Sequence, residues 1–347
     1  LPDEWRDKLR DQSVYQSLFS EGYSLEQCLT NISAIKQLYD GLSTLEQTAL
    51  RIIIGVIGSK PFQLEKYLSV RFGESDLCPA DLLAGLIKLR QKAIVFAFKT
   101  SWGDLKYVIP SDTFSLWHRV VFSSKSRHIT YEVNAIGLAQ QQKQTVMEAF
   151  FHFLLQLKRM GLEKTKLGLW NKRQRAAFEQ ACCMLDRKAL NTDPLQFMIS
   201  AANSFGLATI DKEGVRLNED DIESWLKRPL IQIQLQLYSF WCEGRVSDQL
   251  PSMHVRHWCE AQTDWFDADD YNRWLADHQL CNQSDHLDDN ELFTSWVQSL
   301  VSLGWMEQGT DENRRTYYRF LLNRSPEEVR ELYIQPDFEV LVSQAAP

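Results

Sequence analysis

The sequence predicts a mainly α-helical protein with small β-hairpins, arranged as tandem winged-helix-like modules. Three observations predict it. First, only 15 Gly and 10 Pro occur in 347 residues, so loops are sparse and helices should dominate. Second, apolar residues recur at helical spacing over long runs. Third, three stretches end alike, with an apolar helix followed by a short β-rich segment around a polar turn. A chain of this length is also too long for one ordinary core and suits several modules.

The first stretch runs from about Leu42 to Phe122. Ser43-Thr44-Leu45-Glu46 has the form of a capping box, in which a Ser and a Glu three residues later satisfy each other's orphan amides. A helix is expected over Leu45–Ile57, with Leu45, Ala49, Ile52, Ile53, Val56 and Ile57 on one stripe. Gly58-Ser59-Lys60-Pro61 should end it, before a short helix from Phe62 to Phe72. A third helix starts near Pro79, since proline is tolerated in a first turn. Ile94 to Phe98 and Tyr107 to Ile109, flanking Ser101-Trp102-Gly103-Asp104, carry a hairpin signal.

In the second stretch, Val146, Phe150, Phe153, Leu154 and Leu157 mark a helix from Gln144 to Met160. Two further helices are expected at Lys172–Leu185 and Leu195–Phe205. A small wing follows over 207–217, with Lys212-Glu213-Gly214 at its tip. Asn218-Glu219-Asp220-Asp221 then starts a closing helix that ends at Arg228-Pro229. The third stretch is rich in tryptophan (Trp241, Trp258, Trp265, Trp274). Its last helix, Asp289–Leu303, should be capped by Gly304. The hairpin expected after it has its turn at residues 309–313. The phrases Phe205-Gly206-Leu207 and Leu303-Gly304-Trp305 repeat a pattern, not identities. The expected divisions are an N-terminal helical segment (1–41), a first module (42–143), a second (144–229), a Trp-rich acidic third (230–323), and the start of a further domain (324–347).

Charge is distributed unevenly. The net is −8, yet residues 118–175 hold eleven Lys or Arg against three Glu, while 260–293 hold ten acidic residues and one Arg. That polarity predicts one cationic face suited to phosphates and one acidic face that repels them. Within 158–175, Lys158, Arg159, Lys164, Lys166, Lys172, Arg173 and Arg175 stand against Glu163 and are interleaved with Trp170. Lysine and arginine release counterions from phosphate, and an indole can stack or wedge. Arg173 and Arg175 also fall at a helix start, where free amides favour phosphate. These eight residues are the candidate nucleic-acid site. The hairpin residues Lys99, Trp102 and Lys106 are a secondary candidate. Alternatively, the cations are simply a solvated surface and Trp170 packs between helices.

Ser325-Pro326-Glu327-Glu328 reads as a helix start, leading to Leu332-Tyr333-Ile334-Gln335-Pro336-Asp337-Phe338-Glu339-Val340-Leu341-Val342. Residues 332–342 resemble the segment that opens a domain in bacterial helicase-associated proteins, related to the domain preceding the motor of XPB-type DNA repair helicases. The resemblance implies that a further domain continues beyond Pro347. The expected partners are DNA, bound without strong sequence specificity, and a protein held by the acidic third module, such as a helicase or nuclease. The family's motor motifs do not occur in this chain.

Enzymatic readings find little. Lys60 lacks the upstream glycine of a phosphate loop, and no Gly-x-Ser-x-Gly elbow occurs. His254, His257 and Cys259, with Asp264 and Asp267, are zinc-ligand types, but their spacing fits no closed tetrahedral pattern. Asp267, Asp269 and Asp270 invite a divalent-ion nuclease reading, against which helix capping is the simpler account. The seven cysteines include no CxxC pair and read as reduced thiols, with Cys182-Cys183 either a redox pair or packing. No metal and no cofactor are expected. The opening Leu1-Pro2-Asp3-Glu4-Trp5-Arg6 has no basic start, and no run reaches membrane-spanning length, so no secretory signal, no membrane and a cytoplasmic location are expected. The expected function is a non-catalytic DNA-associated accessory or scaffold region of a helicase-associated protein. The alternative is a protein–protein interaction or dimerisation scaffold without nucleic-acid binding.

Overall fold

The computed structural model describes residues 13–70, 78–123, 134–135, 145–166, 168–182, 185–245, 250–280 and 286–322. It is mainly helical, with a few small antiparallel strand pairs. Among the described residues, no helix is long and apolar enough to cross a membrane. The chain divides into two compact units. One comprises Leu1–Lys125, Asp248–Ala261 and Tyr271–Leu287; the other comprises Ser126–Ser247, Gln262–Asp270 and Asp288–Pro347.

The first unit begins with α1 (Ser13–Ser20), α2 (Leu25–Thr30) and α3 (Ile32–Asp40). Helix α4 (Thr44–Ile52) starts at the expected capping box, where the Ser43 amide donates to Glu46 Oε2 at 2.7 Å. Glu46 is buried and also pairs with Lys92 Nζ at 2.6 Å. Burial pushes its carboxyl up, but the hydrogen bonds from Lys92 and Ser43 outweigh that and hold it below the ordinary carboxylate value. The helix expected to continue to Ile57 widens instead into a π-turn over Ile53–Ile57, closed by the Gly58 amide donating to Ile53 O at 2.9 Å. Gly55 in that turn lies so close to Phe122 and Leu280 that a Cβ there would stand 2.8 and 2.7 Å from their side chains.

Next come α5 (Leu64–Leu68), α6 (Pro79–Gln91), β1 (Phe96–Lys99), β2 (Leu105–Val108) and α7 (Ser111–Val121). The hairpin pairs Phe96 with Val108 and Lys99 with Leu105. Phe62, expected to start a helix, exchanges backbone hydrogen bonds with Tyr107 at 2.9 and 2.8 Å. It thus adds a single strand residue to β2. Helix α14 (Leu250–Ala261) also belongs to this unit, where Trp258 packs edge-on to Tyr271 at 5.2 Å.

In the second unit, β3 (Asn134–Ala135) precedes α8 (Val146–Met160), which buries Phe150, Phe153, Leu154 and Leu157 as its periodicity requires. Then follow β4 (Leu162–Glu163), α9 (Lys172–Cys182), α10 (Arg187–Leu190), α11 (Pro194–Ser204), β5 (Ala208–Ile210), β6 (Gly214–Leu217), α12 (Glu219–Leu226) and α13 (Leu230–Arg245). The three strands form an antiparallel sheet in the order β4-β6-β5. Gly214 permits it, because a Cβ there would run into the Leu162 carbonyl oxygen. Trp241, Trp296 and Trp305 form a second core, with ring centroids 5.0 and 5.5 Å from Trp241. Two of its three indoles are satisfied: Trp305 Nε1 donates to Gln234 Oε1 at 3.0 Å, and Trp241 Nε1 to Ala189 O at 2.9 Å, while Trp296 Nε1 is buried without a hydrogen-bond partner among the described residues.

The rest of the chain adds α15 (Ala268–Asp277), α16 (His286–Leu303), β7 (Met306–Thr310) and β8 (Thr316–Phe320). The last turn was expected at 309–313 and lies at 311–315. Gly309 is a strand residue between Ala135 of β3 and Tyr317 of β8, and Asp311 Oδ1 takes the Arg315 amide at 2.8 Å to form the turn.

One chain order therefore recurs three times among the described residues: helix, short strand, helix, helix, hairpin. It reads α4, Phe62, α5, α6, β1-β2; then α8, β4, α9, α11, β5-β6, with the four-residue α10 added between α9 and α11; then α14, Phe266, α15, α16, β7-β8. In every case the early strand bonds to the second strand of the hairpin, and Phe266 does so with Tyr318 at 2.9 and 2.8 Å. The helix before each hairpin also ends alike. Ala93, Gly206 and Gly304 have φ of 54°, 76° and 81°. The amide after each bonds back five residues, Ile94 to Leu89, Leu207 to Ala202 and Trp305 to Leu300, at 3.0, 2.9 and 2.9 Å.

Candidate nucleic-acid interface

The basic segment lies in the second unit, and its residues separate into three places. Lys158 and Arg159 occupy the exposed last turn of α8, where cations suit the carbonyl end of a helix. Lys164, Lys166 and Trp170 lie on a tight loop. Lys164 and Trp170 bridge, and the Thr165 amide donates to Leu169 O at 2.7 Å. Lys172, Arg173 and Arg175 lie on the exposed first turn of α9.

Local chemistry limits what each can do. Trp170 is half-buried, and Lys164 Nζ sits 5.1 Å from its ring centroid, so that indole face already carries a cation. Two of the α9 amides expected to be open to phosphate are occupied, because Asn171 Oδ1 accepts from Arg173 N at 3.1 Å and Gln174 N at 3.4 Å. Arg175 Nε bonds to Glu179 Oε1 at 2.7 Å, and that partner raises its pKa further. Lys172 and Arg173 are the exposed cations left at this turn.

Sequence reasoning missed the residues that the sheet brings up to this loop. Strand β4 pairs with β6, so the tip of the β5-β6 hairpin stands beside the loop after β4. Lys164 N donates to Glu213 O at 2.7 Å, and Lys164 Nζ to Asp211 O at 2.9 Å. Asp211 ties the tip by accepting the amides of Glu213 and Gly214 at 2.7 and 2.8 Å, and these bonds lower its pKa. A groove of about 710 Å³ results, lined by Lys164, Lys166, Lys212 and Arg216 with Glu163 and Glu213. Arg216 is ion-paired with Glu213. Lys158, Arg159, Lys172, Arg173 and Arg175 do not line the groove. The missed signal was topological: a strand before two helices that pairs with the second hairpin strand.

The other hairpins also expose cations at their ends. The first carries exposed Lys99 and half-buried Lys106 around Trp102, beside exposed Asp104, and the third turns through exposed Arg314 and Arg315 next to Asp311 and Glu312, with Arg314 at φ 63°. By contrast, the helices before the hairpins are poor in cations. Helix α6 has Lys88 and Arg90, while α11 has none and exposes Gln196, Asn203 and Ser204.

Among the described residues, no group of three or more His, Cys, Asp or Glu is arranged to hold a metal. His254 and His257 instead form a buried cluster with His118 in the first unit. His118 Nε2 and His254 Nδ1 are 2.7 Å apart, and the His118 and His257 ring centroids 4.4 Å. With its Nε2–H on Gly55 O at 3.3 Å, His254 accepts at Nδ1 from His118 Nε2–H, which pairs two neutral imidazoles. Burial lowers all three pKa values, that of His254 to about 4. Cys259 is buried and its thiol pushed up, the reverse of a reactive cysteine. Asp267 and Asp270 cap α15 reciprocally, Asp270 N donating to Asp267 Oδ1 at 2.9 Å. Cys183 and residues 332–342 lie outside the described residues, as does the side chain of Cys182. Compared with known proteins, the chain matches no family model and no curated protein.

Proposed function

We propose that this chain is a non-catalytic, DNA-associated accessory or scaffold region made of tandem winged-helix modules. It holds duplex DNA by backbone contacts from its hairpins and from the basic segment 158–175. The observation that carries the reading is the thrice-repeated order of helix, strand, helix, helix and hairpin, with exposed cations at each hairpin end. In a chain of net charge −8, the exposed cations on these ends, interleaved with Asp104, Asp211, Glu213, Asp311 and Glu312, are where a polyanion would be met. The helix before each hairpin, which reads base edges in many winged helices, has few cations to offer here, so binding is weakly sequence-dependent. The resemblance of residues 332–342 supports association with a helicase.

Fluorescence anisotropy with a labelled duplex, at two salt concentrations, tests this reading. Charge reversal at Lys172 and Arg173, and separately at Lys212 and Arg216, should weaken binding and flatten its salt dependence. Binding that both variants leave unchanged removes the site assignment. A protein-docking scaffold is the second reading, favoured by the uncharged exposed face of α11. Salt-resistant self-association without DNA affinity, read by light scattering, would select it.

A further inference from the structure

The geometry points to the β1-β2 hairpin as a base-stacking tip: Trp102 would cover an unpaired nucleobase while Lys99 and Lys106 hold the flanking phosphates. Trp102 is 92% exposed, the most exposed of the large hydrophobic side chains described. Its backbone is nevertheless ordered by the turn. The Thr100 amide donates to Asp104 O and the Gly103 amide to Thr100 O, both at 2.9 Å, and Gly103 takes the φ of 89° that closes it. An indole held out on a braced turn stacks without first paying to order the loop.

The occupant follows from what surrounds the ring. Ser101, Gly103 and Asp104 are small or polar and exposed, so the tip offers one aromatic plane and not a broad apolar patch for a protein. Opposed residues of an antiparallel pair share a face. Phe98 stands opposite Lys106 and Lys99 opposite Leu105, so in the two pairs nearest the tip each face of the hairpin carries one apolar side chain and one cation. A hairpin that enters a lipid surface would gather its apolar groups on one face. One cation per face beside a terminal ring suits a strand that alternates bases and phosphates. Unpaired bases occur at duplex ends and forks, so this inference deepens the DNA-binding reading and rests on it.

A duplex with a single-stranded tail, carrying 2-aminopurine as the first unpaired base, tests the inference with the full chain. Stacking on Trp102 should quench the probe. Trp102→Ala should abolish the quenching and weaken tailed-DNA binding about tenfold, a larger loss than for the blunt duplex, which offers no unpaired base to stack. Trp102→Phe should restore most of both. Since the side chain is almost wholly exposed, neither variant threatens folding. Wild-type protein that binds blunt duplex but gives equal quenching with Trp102→Ala overturns this inference alone. Absence of all DNA binding overturns both readings. Trp102-dependent binding to phosphatidylserine vesicles, without 2-aminopurine quenching, assigns the tip to a lipid surface instead.

Discussion

Individual side chains show how polar groups enter these cores at tolerable cost. Glu46 is both the capping residue of α4 and the partner of Lys92. Glu46→Ala therefore removes a cap and leaves a partly buried ammonium unpaired, and should cost on the order of 2–3 kcal/mol in urea unfolding. The histidine cluster has the opposite character, since His118, His254 and His257 are buried neutral and their pKa values lie below the unfolded one. Unfolding then takes up protons as pH falls below about 6.5, so stability is complete above that value and lost toward His254's value of about 4. For His254 alone the loss is on the order of 3 kcal/mol. Arg51, Arg119, Arg256 and His278 surround the cluster with further positive or protonatable charge, which reinforces the direction. Thermal melts from pH 7.5 to 4.5 should show the decline, and His254→Gln should flatten it. A pH-independent melt in the parent protein would contradict the burial of neutral rings.

Among the elements, the repeated helix ends make a graded prediction. Gly206 and Gly304 occupy equivalent left-handed positions, at φ of 76° and 81°. A Cβ at Gly206 meets nothing within 4 Å, whereas one at Gly304 would lie 2.8 Å from the Thr145 methyl. Gly206→Ala should therefore cost about 1 kcal/mol from backbone strain alone, and Gly304→Ala clearly more. Equal losses in denaturant melts would mean that the Thr145 side chain yields readily. Much at this scale was legible: the Ser43–Glu46 box, the stripe of α8, the Gly304 cap and the turn after Lys99 all follow local rules. What escaped depended on distant partners. Phe62 and Phe266 are single strand residues defined only by Tyr107 and Tyr318. The widening of α4 over Ile53–Ile57, with Gly55 against Phe122 and Leu280, likewise leaves no local trace.

Across the whole molecule, the charge count located the basic segment but not where its residues lie relative to one another. Local rules could not foresee that Asn171 occupies two of the α9 amides or that Arg175 turns to Glu179. Nor could they bring Lys212 and Arg216 beside Lys164 and Lys166, because that juxtaposition depends on β4 pairing with β6. The proposed phosphate-binding surface therefore shifts from a helix start toward the hairpin ends. Salt dependence of duplex binding, measured for the parent chain and for a variant with Lys166, Lys212, Arg314 and Arg315 reversed, probes that surface. Phosphate binding at the hairpin ends predicts salt-sensitive affinity for the parent. It predicts weaker binding by the variant, with a log–log slope flatter by roughly 0.9 for each phosphate no longer neutralised. Unchanged affinity and slope in the variant, or no binding by the parent at low salt, would contradict it.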